Sequence, residues 1–144
     1  MHQYCLKKSK LFLQKILKKK TKEKEGFLGF RKKNKEIYTR ALNHSSLRLE
    51  KNNERLEFLG DAVLNMIISG YLYKKLKKDR EGDLSKKRAI YISRKQLNNL
   101  GEKIIGKTNL KHKAERITPN MFGNALEAII GAIYIDKGYD FVKK

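Results

Sequence analysis

The sequence predicts an all-α protein, on three observations. From Glu36 onward apolar residues recur at spacings of three and four, Gly or Asx pairs separate the segments, and no strand-type alternation competes. Ile37 to Leu42 gives one short helix, and the polar stretch His44, Ser45 and Ser46 reads as a loop. A long helix starts after Asn52 or Asn53, either a good N-cap, and runs through Leu56, Leu59, Val63, Met66, Ile67 and Leu72. Another follows Gly82 and Asp83 and contains Leu84, Ala89, Ile92 and Leu97. Gly101 and Gly106 punctuate the next segment. Thr118 and Pro119 pair an N-cap with proline at the first helical position, opening a helix through Phe122, Leu126, Ile129, Ile130 and Ile133 that ends near Gly138.

At 144 residues and 40% hydrophobic content the chain is long enough for one domain with its own core. Its net charge of +20, from 35 Lys and Arg against 15 Asp and Glu, points to a polyanionic partner. Residues 1–35 hold 13 of the basic residues and only Glu23 and Glu25. We read residues 1–26 as a basic arm: Leu6, Leu13, Ile16 and Leu17 approximate helical spacing, and Lys18 to Glu25 is a solvated charge run. A frayed arm and a phosphate-contacting one both fit. A single cysteine, Cys5, excludes an internal disulfide and a Cys-based zinc cluster, which suits a reducing, cytoplasmic compartment. No apolar run approaches the roughly 18 residues of a membrane span, and the apolar N-terminal stretch is broken by Gln14 and Lys15 without a cleavage site. Neither a membrane span nor a secretory signal is expected.

Three carboxylates lie where carboxylates are costly. Glu57 and Asp61 interrupt Leu56-Glu57-Phe58-Leu59-Gly60-Asp61-Ala62-Val63-Leu64, and Glu127 interrupts Ala125-Leu126-Glu127-Ala128-Ile129-Ile130. A desolvated acid must be ion-paired, hydrogen-bonded or bound to metal, and this chain has Lys and Arg enough for pairing. Spacing of four puts Glu57 and Asp61 on one helix face, and spacing of three does the same for Asn124 and Glu127. Gly60 and Gly131 would let two such helices approach closely. Together the faces would offer oxygen-only ligands, which suit magnesium or manganese. A buried ion pair and a metal site both remain open on spacing alone. A basic surface beside an acid cluster suits phosphodiester chemistry, where cations stabilise the attacking and leaving oxygens.

Asn53-Glu54-Arg55-Leu56-Glu57-Phe58-Leu59-Gly60-Asp61-Ala62-Val63-Leu64 resembles the signature of the ribonuclease III catalytic domain, an all-helical endonuclease domain acting on double-stranded RNA. In order along the chain, Ala41-Leu42-Asn43-His44-Ser45, Glu81-Gly82-Asp83-Leu84-Ser85 and Ala125-Leu126-Glu127-Ala128-Ile129-Ile130-Gly131-Ala132 are similar to further segments of that family. The likeness covers about residues 27 to 142, and residues 27–144 are taken as the domain. It implies that Glu57, Asp61 and Glu127 bind metal with Asn124 completing the set, Asp61 and Glu127 being catalytic. It further implies that Glu81 stands at the rim of the site, that Glu54 and Arg55 order it through ion pairs, and that Phe58 enters a pocket of a partner subunit. A solvated pair is the alternative for Glu54 and Arg55, and an ordinary core Phe for Phe58.

Three departures from the family pattern stand out. Asn124 replaces the usual Asp and brings a carbonyl oxygen without a charge. No double-stranded-RNA-binding domain follows, and the sequence ends at Lys144, soon after Tyr139-Asp140-Phe141-Val142, so truncation is expected. The resemblance implies a homodimeric, magnesium-dependent endoribonuclease, with manganese as a substitute ion, that processes double-stranded RNA and leaves 5′ phosphates. Lys74, Lys75, Lys77, Lys78, Lys86, Lys87 and Arg88 are candidate phosphate contacts, since A-form RNA is recognised mainly by shape and backbone. The alternative is a catalytically impaired module of the same fold that binds double-stranded RNA or associates with ribosomes.

Overall fold

A computed structural model of the protein describes residues 27–144. The basic arm and Cys5 lie outside the described residues. The elements are helical: α1 (Lys35–Ala41), a 3-10 turn (Ser45–Leu47), α2 (Glu54–Lys75), α3 (Glu81–Tyr91), α4 (Arg94–Ile105), α5 (Pro119–Lys137) and α6 (Tyr139–Val142). Extended pairing among the described residues is limited to an isolated bridge between Asn43 and Lys111. No described helix is long and apolar enough to cross a membrane.

The core is built on α5, which packs against α2 on one side and α4 on another. Leu64, Ile67, Ile68 and Leu72 of α2 meet Leu126, Ile129, Ile130 and Ile133 of α5 in one buried cluster. At the α2–α5 crossing the two backbones touch. A Cβ on Gly60 would lie 1.7 Å from the Glu127 carbonyl oxygen, and one on Gly131 would lie 2.4 Å from that of Leu56. Gly101 serves the α4–α5 contact in the same way, 2.2 Å from the Phe122 carbonyl oxygen. The close approach expected of Gly60 and Gly131 is therefore present, and it sets the distance between the two acid-bearing helices.

Several boundaries differ from the sequence reading. α1 starts at Lys35 rather than Ile37 because the Asn34 side chain accepts from the N–H groups of Glu36 and Ile37. At the start of α2 the capping bond comes from Asn52, whose Oδ1 accepts from Glu54 N at 3.0 Å. Asn53 makes no side-chain cap bond, and its buried Nδ2 has no hydrogen-bond partner among the described residues. The helix expected to follow Gly82 and Asp83 begins at Glu81, so both residues lie inside it, where Glu81 and Asp83 favour the positive end of the helix dipole. It stops at Tyr91: Ser93 is extended (ψ 146°), and α4 restarts at Arg94. Apolar spacing runs through that break, so periodicity alone does not reveal it. Thr118 and Pro119 open α5 as expected, and Gly138, at φ +80°, ends it.

The start of the described chain is fastened to the end of α5. Asp136 accepts from Lys33 N at 3.1 Å, Asn34 N at 2.9 Å and the Tyr38 hydroxyl at 2.9 Å, with Lys137 Nζ at 3.5 Å.

Candidate active site

The α2–α5 crossing places Glu57 and Asp61 beside Asn124 and Glu127. These four side chains line one cleft of about 570 Å³, together with Ser45, Asn53, Glu54, Phe58 and Arg94. The two-face arrangement expected from spacing is thus present. Glu127 is 2% exposed, while Asp61 faces solvent and accepts from Asn65 Nδ2 at 3.0 Å. Burial raises the Glu57 carboxyl above its ordinary value, and the nearby charge of Glu127 adds to the rise while Arg94 opposes it. Burial raises Glu127 as well, against the charge and hydrogen bond of Arg94. Crowded acids of this kind are a mark of functional sites.

Arg94 is the functional candidate that sequence reasoning missed. Its Nη1 donates to Asn124 Oδ1 at 2.8 Å and to Glu127 Oε2 at 3.1 Å. Glu127 therefore has an ion-pair partner, whereas Glu57 and Asp61 form no ion pair among the described residues. No three acids or histidines among the described residues stand close enough together to hold a metal ion without side-chain movement. Only the break between α3 and α4 could have signalled Arg94, because it makes that residue the first of a helix aimed at the cleft.

The remaining predicted residues divide. Glu81 does not line the cleft and accepts from Ser85 Oγ at 2.8 Å. Glu54 borders the cleft but makes no ion pair among the described residues. It accepts from Asn52 Nδ2 instead. Arg55 likewise forms no ion pair among the described residues and lines a second, largely apolar cleft of about 590 Å³ with Arg40, Glu54, Leu56, Phe58, Leu59 and Ile135. Glu54 and Arg55 are both exposed on α2, and neither forms an ion pair among the described residues, which matches a solvated pair rather than an ion-paired one. Phe58 is 81% exposed, which overturns the ordinary-core alternative and leaves a large apolar ring between the two clefts. Lys74, Lys75, Lys77, Lys78 and Lys86 are exposed. Lys87 pairs with Asp79 in the turn before α3, and Arg88 donates to Ser69 Oγ of α2 at 2.9 Å, so the first ties α3 to its preceding turn and the second holds α3 against α2. His44 accepts from Ser46 N through Nδ1, a local cap.

Comparison with known proteins agrees with this geometry. A ribonuclease-III-like family model matches residues 34–144. Ribonuclease 3 of Campylobacter jejuni is 42% identical over 125 residues, covering 83% of this chain and 56% of the relative. Ribonuclease 3 of a Nitratiruptor species is 42% identical over 132 residues, covering 88% of this chain and 58% of the relative. The chain thus spans little more than half the length of these curated relatives. A crystal structure of the nuclease domain of ribonuclease III from Campylobacter jejuni superposes with a TM-score of 0.76 at 38% identity, over 83% of this chain and 85% of that one. Dicer from Pichia stipitis superposes with a TM-score of 0.62 at 32% identity, over 77% of this chain and 50% of that one. With the family model spanning most of the chain and the acid cleft at the crossing of its two central helices, the protein belongs to the ribonuclease III family.

Proposed function

We propose that the domain hydrolyses phosphodiester bonds of double-stranded RNA as a homodimer, using magnesium, or manganese in its place, held by Glu57, Asp61, Glu127 and the Asn124 carbonyl oxygen. The observation that supports this best is the meeting of two acid pairs from separate helices in one cleft of a chain with a net charge of +20. The donors suit a hard divalent cation: all are oxygens, and the Glu57 carboxyl is raised partly by repulsion from Glu127, which a cation would relieve. Such an ion, when bound, supplies Lewis acidity toward water and the phosphate. The carboxylates fix its position, with Asp61 and Glu127 nearest the chemistry. Exposed Lys74, Lys75, Lys77, Lys78 and Lys86 attract the duplex backbone, and exposed Glu81 at the start of α3 keeps the rim role that the family resemblance implies. Phe58, 81% exposed, is the side chain offered to a second copy. The fragment of Campylobacter ribonuclease III described as flexible in a region involved in dimer formation is a neighbour of this chain, with a TM-score of 0.75.

A specific observation favours a second reading, the impaired RNA-binding module: Asn124 lacks the acid's charge and its oxygen is already engaged by Arg94. Incubating the full chain with a long RNA duplex and magnesium separates the two. Cleavage that Glu127→Gln lowers by at least about a hundredfold, with duplex binding retained, supports the enzyme. Binding with no cleavage at any magnesium or manganese concentration selects the module.

A further inference from the structure

Arg94 is the only cation among the described residues that line the acid cleft. Its Nη1 is bound to Asn124 Oδ1 and Glu127 Oε2, two of the four oxygens offered to a divalent ion, so guanidinium and ion call on the same acceptors. The helix itself does not favour this placement. Arg94 is the first residue of α4, whose first turn holds no acid, and a helix start carries partial positive charge that repels a cation. Glu127 and Asn124 therefore hold it there.

Exposure shows which partner is free to leave. The Arg94 side chain is 50% exposed and the Glu127 side chain 3%, so Arg94 can swing into water without opening a void, while Glu127 stays in place. Gly123 leaves room for the present arrangement, since a Cβ there would lie 3.3 Å from Arg94 Nη1 and 2.3 Å from Asn98 Oδ1. Charge favours exchange as well. Glu54, Glu57, Asp61 and Glu127 face this single guanidinium, and a divalent ion offsets more of their repulsion than a monovalent one.

We propose that Arg94 is a resident counter-cation of the acid cleft, which competes with the divalent ion for Asn124 and Glu127 and withdraws as the ion binds. The proposal rests on the metal-binding reading above. It makes Arg94 a positioning residue that preserves the cleft without metal and sets the ion concentration at which the cleft loads.

Titration calorimetry of the full chain with magnesium chloride and manganese chloride tests this. Arg94→Met, which keeps the aliphatic stem and removes the charge, is expected to bind either ion about tenfold more tightly than the unmodified protein. Arg94→Lys is expected to fall between the two, and Lys95→Gln, which removes an exposed neighbouring charge, to match the unmodified protein. Equal or weaker ion affinity in folded Arg94→Met overturns the proposal, as does an equal gain in Lys95→Gln, which would assign the effect to overall charge. Absence of ion binding in both the unmodified protein and Arg94→Met overturns the proposal together with the metal reading. Should Arg94→Met fail to fold, the Arg94 Nε–H magnetic resonance signal of the unmodified protein, assigned by its loss in Arg94→Lys, decides. A shift and faster solvent exchange on adding magnesium support withdrawal, and an unchanged signal at saturation overturns it.

Discussion

Asn124 shows how one atom type sets the demands of a site. Its carbonyl oxygen accepts from Arg94 and can serve a hard cation, but it contributes no charge to a cleft that depends on charge. Asn124→Asp should therefore raise cleavage at limiting magnesium by about tenfold, and the gain should shrink as magnesium saturates. The added charge also attracts Arg94, but a divalent ion gains twice as much from it. Initial rates across a magnesium series provide the check, and a flat response in a folded dimer would refute the assignment of Asn124 to the metal set. Much of this site was legible in the sequence, because acids embedded in apolar runs need an explanation and helical spacing told which shared a face. Arg94 was not. In a chain with 35 basic residues one arginine carries no signal until the turn that aims it is known.

Among the elements, α2 and α5 depend on glycine most directly. Gly60→Ala drives a methyl into the Glu127 carbonyl, which side-chain repacking cannot relieve, so it should cost about 3 kcal/mol or more. Chemical denaturation measures the loss, and the acid cleft should widen with it. Gly70, which has open space around it, is the control position. The Asp136 clasp carries a pH signature. Burial pushes its carboxyl up, but the N–H groups of Lys33 and Asn34, the Tyr38 hydroxyl and the Lys137 charge pull it below the ordinary carboxyl range. A depressed acid stabilises fully above its unfolded value, and that contribution is lost as pH falls through the folded value. Asp136→Asn should lower the Tm near neutral pH, and the difference from the unmodified protein should vanish in acid. A constant difference at every pH would assign the clasp to packing instead. The long helices were legible from apolar spacing and from Thr118 with Pro119. The break at Ile92 and Ser93 was not, since burial of Tyr91 and Leu97 on either side preserves the apolar rhythm across it.

For the molecule as a whole, the proposed homodimer would cover the exposed ring of Phe58, which stands between the acid cleft and the apolar cleft. Phe58→Ala should shift the protein toward monomer in analytical ultracentrifugation and weaken duplex cleavage without lowering its Tm as a monomer, because the side chain is largely in water. An unchanged sedimentation coefficient would move the interface elsewhere. Fold and family were readable because long amphipathic segments and a contiguous signature are local properties. The outward position of Phe58 was implied only by the family resemblance, since apolar spacing on α2 gives it no mark to distinguish an outward ring from an inward one. The backbone contact at Gly60 and Gly131 has a last consequence for ion choice. It acts as a fixed ruler: the helices already touch and cannot close, and spreading them to suit the radius of their guest would open a void at the crossing. Calcium, which prefers oxygens several tenths of an ångström farther away than magnesium does, would have to be accommodated by side-chain torsions alone.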